Sequence, residues 1–193
     1  GKSPAIVGPD YPMAKAAERI MVGKLLNAGQ TCIAPDYVLV PAGREQAFIE
    51  AARAVVAKLF PDMANTPDYT AIVNERHYQR LQGYLADARQ RGATIAPLST
   101  AQADDVHRRL PPMALLQVDD GMRVMQDEIF GPLLPVLPYH DLDGAIFHVN
   151  QHPRPLALYY FGNDGAQRDR VLNETVAGGV TVNDTILHIA QEE

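Results

Sequence analysis

Short apolar runs of strand length alternate with longer amphipathic stretches along nearly the whole chain, and this alternation constrains the fold more than any other feature. Runs at 5–7, 37–40, 94–96, 113–118, 133–137, 156–161 and 180–182 read as strands. Between many of them, apolar residues recur at helical spacing. The first such stretch, 11–28, places Met13, Ala16, Ala17, Ile20, Met21 and Leu25 on one face, with Lys15, Glu18, Arg19 and Lys24 largely on the other. Further helices are expected over 44–60, closed by Pro61, and over 75–91, closed by Gly92. Two more are expected over 141–150, with Asp141 at the start, and over 166–176. A helix returns the chain to begin the next strand in the same direction, so repeated strand–helix–strand units predict an α/β fold with most strands parallel. The segment 61–70 reads as a loop, and 99–111 as polar and exposed. No internal repeat or low-complexity linker divides the chain.

The 193 residues suffice for one substantial core, and 47% hydrophobic with 21% charged residues argues against global disorder. A formal charge of -6 argues against a broad nucleic-acid surface. No apolar run approaches the roughly 20 residues needed to span a bilayer, and no secretory signal opens the chain. Cys32 is the single cysteine, so neither an intrachain disulfide nor a multi-cysteine zinc site is available. This fits a reducing, cytoplasmic setting. The histidines, at 77, 107, 140, 148, 152 and 188, show no recognised ligand spacing. No metal is therefore expected, and each histidine reads as a surface or structural residue. Both ends, Gly1-Lys2-Ser3-Pro4 and Gln191-Glu192-Glu193, read as cut from something longer.

Three segments are candidates for chemistry. In Asn27-Ala28-Gly29-Gln30-Thr31-Cys32-Ile33-Ala34-Pro35, the cysteine follows a helix end marked by Gly29. A cysteine in such a turn can be exposed among backbone N–H groups, which stabilise a thiolate and a developing oxyanion. A small buried hydrophobe is the competing reading, because free cysteine is among the most buried residue types. In Gln126-Asp127-Glu128-Ile129-Phe130-Gly131-Pro132-Leu133, the i, i+2 spacing of an extended segment aims Glu128 and Phe130 the same way. Such a pair suits a ribose hydroxyl pair and a flat ring. The residues by themselves favour a solvated acid and a core phenylalanine. Gly1-Lys2-Ser3 matches the end of a phosphate loop, but the upstream glycine is absent and Pro4 stands where a helix should continue, so that reading is rejected.

Taken together, the motifs resemble the aldehyde dehydrogenase superfamily in order and spacing. Gly1-Lys2-Ser3-Pro4 is similar to the end of its Glu-Leu-Gly-Gly-Lys-Ser-Pro motif, Gly29-Gln30-Thr31-Cys32 to its active-site cysteine motif, and Glu128-Ile129-Phe130-Gly131-Pro132 to its cofactor-contacting motif. Pro155-Leu156-Ala157-Leu158-Tyr159 and Gly178-Gly179-Val180-Thr181-Val182-Asn183-Asp184 resemble later elements of its catalytic domain. Cys32-Ile33-Ala34-Pro35-Asp36-Tyr37 and Asn183-Asp184-Thr185-Ile186-Leu187-His188 are similar to the class 3 branch, and the combination to coniferyl-aldehyde dehydrogenases.

The resemblance implies a three-layer catalytic domain over residues 1–193, with a largely parallel sheet flanked by helices. It implies that Cys32 attacks a small-molecule aldehyde, that its own N–H helps hold the oxyanion, and that hydride leaves to NAD or NADP. Glu128 would bind the nicotinamide-side ribose and Phe130 would pack near the nicotinamide. It implies further that the family's water-activating glutamate would fall three residues before Gly1. The dinucleotide domain and oxyanion asparagine would lie upstream and the oligomerisation tail downstream. The chain by itself would then be inactive, and the parent an active homodimer. Two rivals remain: a cysteine hydrolase or acyltransferase pairing Cys32 with a histidine, and a non-catalytic packing domain.

Overall fold

The computed structural model describes residues 1–185. The alternation resolves into seven strands: β1 Pro4–Val7, β2 Tyr37–Pro41, β3 Thr94–Pro97, β4 Met113–Leu116, β5 Leu133–Tyr139, β6 Ala157–Phe161 and β7 Gly179–Val182. The helices are α1 Met13–Leu25, α2 Glu45–Leu59, α3 Glu75–Gln90, α4 Arg123–Gln126, α5 Leu142–Gln151 and α6 Gly165–Glu174. The strands form one sheet in the order β3-β4-β5-β2-β1-β6-β7. Every pair is parallel except β3 with β4, whose antiparallel register runs from Thr94 opposite Leu116 to Pro97 opposite Met113.

Strand order and handedness together place the helices. The steps β1 to β2 and β2 to β5 move one way along the sheet, and β5 to β6 and β6 to β7 move the other way. Right-handed crossovers therefore put α1 and α2 on one face and α5 and α6 on the opposite face. The observed packing agrees, with α1 against α2 and α5 against α6. The result is the three-layer α/β arrangement, with a mixed, largely parallel sheet. The central strands are buried on both faces: Ala5, Ile6, Val7, Val38 and Val40 are fully inaccessible.

Local signals explain most boundaries. Asn74, Asp141 and Asp164 cap α3, α5 and α6, their carboxyl or amide oxygens accepting from the N–H groups of His77, Gly144 and Ala166. The helix expected over 11–28 is shorter. It ends at Leu25 and passes into a tight 3₁₀ turn, Leu26–Gly29, in which Asn27 and Ala28 are left-handed at φ 53°. The single-turn helix α4 was not expected. The stretch 99–111 is less exposed than its polarity suggests, because Leu110 is fully buried. Arg109 on that stretch donates to the carbonyls of Met63, Ala64, Thr66 and Tyr69, and so organises the 61–70 loop. Among the described residues, no helix is long and apolar enough to cross a membrane.

Candidate active site

Cys32 lies in a turn just before β2 and is exposed. The small-buried-hydrophobe reading of this residue is therefore not what the structure shows. Its presentation comes from the unusual backbone before it: Asn27, Ala28 and Gly29 have φ of 53°, 53° and 78°. Three successive left-handed residues turn the chain sharply away from α1, which carries the thiol out instead of extending the helix. Gln30 locks this turn. Its amide donates to the carbonyls of Asn27 and Ala71, and its oxygen accepts from Val73 N–H. On the other side, Tyr159 of β6 donates to the Ile33 carbonyl at 2.5 Å. Among the described residues, no hydrogen bond takes up the Cys32 N–H. Thr31 Oγ1, next to it, is buried without a partner.

Sequence-distant Gly131, which follows Glu128, Ile129 and Phe130, lies directly against this turn. A Cβ built on Gly29 would fall 2.3 Å from the Gly131 carbonyl oxygen and 2.7 Å from its carbon. The two backbones thus touch at a glycine–glycine contact. Glu128 and Phe130 face outward while Ile129 between them is fully buried. The expected same-side display is present, but not on a strand: Phe130 is left-handed at φ 48°. Nor is Phe130 a core residue, since it is 37% exposed. Glu128 Oε2 lies 3.1 Å from the Gly1 nitrogen.

Three residues that sequence reasoning did not single out hold this display in place. Lys2 Nζ donates to Asp36 Oδ1 at 2.5 Å and to the carbonyls of Val124 and Asp127 at 2.8 Å each. Asp36 Oδ2 accepts from Ile129 N–H at 2.9 Å. The Lys2–Asp36 pair is nearly inaccessible and ties the segment before β1 to that before β2 and both to the Glu128 loop. From α3, Arg80 donates to the Ile129 carbonyl at 2.8 Å and reaches those of Glu128 and Phe130 at 3.4 Å. The available signal was a cation on a helix face, which sequence pattern reads as solvated. A second cation, Lys24 of α1, is fully buried. Its pKa is lowered to about 8, chiefly by burial, with Asp36 opposing the shift and Lys2 adding to it.

Three of the described histidines are engaged elsewhere. His77 accepts from Arg80, His107 pairs with Asp104, and His152 contacts Asp120 and the His148 carbonyl. His188 lies outside the described residues, as do Ile186 and Leu187 of the last motif. A cleft of about 430 Å³ is lined by Val56, Phe60, Met63 and Leu98, well apart in sequence from the Cys32 and Glu128 segments.

Residues 1–192 match the aldehyde dehydrogenase family. The chain belongs to that family. Its relatives include a "Probable coniferyl aldehyde dehydrogenase" of Pseudomonas aeruginosa, 60% identical over 193 residues, covering 100% of this chain and 40% of the relative. The coniferyl aldehyde dehydrogenase of Pseudomonas sp. strain HR199 is 43% identical, with the same coverage. Among solved structures, a substrate-bound AldH of Staphylococcus aureus superposes with a TM-score of 0.90 at 40% identity, covering 99% of this chain and 41% of that one. The chain thus spans about two fifths of the length of these relatives.

Proposed function

We propose that residues 1–193 form the cysteine-bearing catalytic part of an NAD- or NADP-dependent aldehyde dehydrogenase, with Cys32 as nucleophile. The observation that carries this reading is the exposed thiol on a left-handed turn, in backbone contact with the loop that displays Glu128 and Phe130. Cys32 Sγ bonds to the aldehyde carbon, and the former carbonyl oxygen takes up negative charge as a thiohemiacetal. The Cys32 N–H donates to that oxygen, which lowers the barrier where charge develops. A bound dinucleotide would supply the hydride acceptor for that carbon. The thioester left on Sγ is then cleaved by water, giving the carboxylic acid and restoring the thiol. Splitting the oxidation into two steps is what the covalent bond contributes.

Glu128 and Phe130 fit the dinucleotide. A carboxylate and an aromatic ring stand outward side by side, and the Phe130 ring is held open by a left-handed backbone whose carbonyls Arg80 grips. Glu128 would hold ribose hydroxyls and Phe130 would pack against the nicotinamide. The chain spans about two fifths of its relatives' length, so the base for thioester hydrolysis and the dinucleotide domain are proposed to be supplied by the parent protein. The names of the relatives support an aromatic aldehyde of the coniferyl type as substrate. A cytoplasmic homodimer is proposed from the family resemblance alone. The hydrolase reading loses support because His77, His107 and His152 bond to other groups.

The test is oxidation of coniferyl aldehyde by the full-length parent with NAD or NADP. The substitution Cys32→Ser is expected to reduce kcat at least about a thousandfold. The isolated 193-residue chain is expected to show no turnover while still reacting with iodoacetamide at Cys32. Retained activity in Cys32→Ser, or robust turnover by the isolated chain, would overturn the assignment.

A further inference from the structure

We propose that Asp120, His148 and His152 form a binding site for a divalent transition metal ion of the zinc type, separate from the cysteine site. His148 sits in the last turn of α5 and His152 is its C-cap, four residues on. Asp120 comes from the connection between β4 and α4. One ring nitrogen of each histidine and one Asp120 carboxylate oxygen lie within 4.8 Å of one another. Tetrahedral coordination at about 2.0–2.1 Å sets donor separations near 3.3 Å. The required contraction is small, and Asp120, with a side chain 58% exposed on a loop, is free to supply it.

The protonation pattern is the stronger argument. His152 Nδ1 lies 2.7 Å from the His148 carbonyl oxygen, which only accepts, so Nδ1 carries a hydrogen. In the neutral ring, Nε2 then presents a lone pair, and it faces Asp120 Oδ1 at 3.1 Å. Two acceptors at that distance need a cation between them, either a second ring proton or a metal ion. His148 adds a further donor demand, since its Nε2 is buried without a partner. A ligating imidazole whose other nitrogen donates to a backbone carbonyl is the usual outer support of a metal site. The Tyr37 ring walls the cluster at 5.5 Å from His148 and 6.3 Å from His152. Two imidazoles and one carboxylate suit zinc, cobalt or nickel over magnesium or calcium. A bound ion would staple the end of α5 to the connection that runs through α4 into Glu128.

The experiment is titration of the chain with cobalt(II) and with zinc(II), in a Cys32→Ser background so that the thiol contributes no binding. Expected are uptake of one equivalent, a visible cobalt spectrum of low-symmetry nitrogen–oxygen coordination, and a raised Tm with zinc. His148→Gln, His152→Gln and the exposed Asp120→Asn should each weaken uptake about a hundredfold or more, beyond the effect of losing an outer-shell partner. His107→Gln, which removes the pair with Asp104, should leave uptake unchanged. Asp120→Asn changes only a loop side chain, so a native circular dichroism spectrum is expected alongside its loss of uptake. Absence of uptake at millimolar metal, or equal uptake by the three variants, would overturn the proposal and leave a simple imidazolium–carboxylate pair. Neither result depends on whether the chain oxidises an aldehyde.

Discussion

Gly29→Ala tests whether the thiol turn and the Glu128 loop form one unit. Two costs follow from the structure. The first is conformational: Gly29 has φ 78°, and a left-handed backbone costs a residue with a Cβ about 1–2 kcal/mol. The second is contact. The new Cβ would stand 2.3 Å from the Gly131 oxygen, 2.7 Å from its carbon and 3.2 Å from the Lys24 oxygen. All three are backbone atoms and cannot swing aside as a side-chain end would, so an overpacking cost of about 1–3 kcal/mol is added. The sum, about 2–5 kcal/mol, is a large part of the stability of an ordinary domain. Gly43→Ala separates the two terms. Gly43 is also left-handed, at φ 87°, but its Cβ would meet nothing within 4 Å. It should lose only the conformational part. Urea unfolding of both variants reads the difference through the midpoint, provided the slope is unchanged. Hydrogen exchange should also quicken at 128–131 in Gly29→Ala alone. Equal destabilisation by the two substitutions would refute the contact argument.

Asp36→Asn breaks a nearly inaccessible ion pair and leaves Lys2 charged, so a loss of about 3–5 kcal/mol is expected, with faster exchange at 124–130. Adding Lys2→Met should recover part of that loss, and a double mutant no more stable than Asp36→Asn would argue against it. Lys24 has a folded pKa of about 8 against 10.5 unfolded, so the unfolded chain binds more protons between those values and stability should rise with pH across that window. Lys24→Met should remove this rise and gain up to about 3 kcal/mol at neutral pH, measured by unfolding at pH 7 and pH 9. Arg109→Lys replaces a fork spanning four carbonyls with a single ammonium, so limited proteolysis within 61–70 should accelerate while the Cys32 labelling rate stays constant.

The strands and most helix bounds were legible because apolar spacing records which face is buried, and caps such as Asp141 mark where α5 begins. The antiparallel β3–β4 pair was not legible: Thr94–Pro97 and Met113–Leu116 are apolar runs that carry no mark of direction. The left-handed Asn27 and Ala28 were hidden for a related reason. Gly29 announces such a conformation, whereas alanine normally avoids it, and here tertiary contacts through Gln30 impose it. Phe130 misled in the opposite sense. An isolated phenylalanine before Gly-Pro reads as core, and only the buried Ile129 and the Arg80 grip leave it outside. The histidines at 148 and 152 read as surface or structural residues, because their meeting with Asp120 depends on packing between α5 and a loop about thirty residues earlier.

The position of the site follows from strand order. Ligands of open parallel sheets usually sit beyond the carboxyl ends of the strands, at a switch point in the order. Here the candidate residues all precede a strand: Lys2 before β1, Cys32 before β2, and Glu128 and Phe130 before β5. They therefore line the amino-terminal edge. β5, β2 and β1 are neighbours in the sheet, so residues separated by about a hundred positions in the chain become adjacent there. The three segments are then bound across that edge by the Lys2–Asp36 pair, by Asp36 accepting from Ile129 N–H, and by the Gly29–Gly131 contact. The Asp36–Ile129 and Gly29–Gly131 ties would not form if β5 lay beside β6 instead of β2, whereas the Lys2–Asp36 pair needs only β1 beside β2. In that arrangement the same motifs would remain in the sequence while Cys32 and Phe130 stood on separate parts of the surface. The motif spelling nominates the candidate residues, and the order β5-β2-β1 brings their segments together.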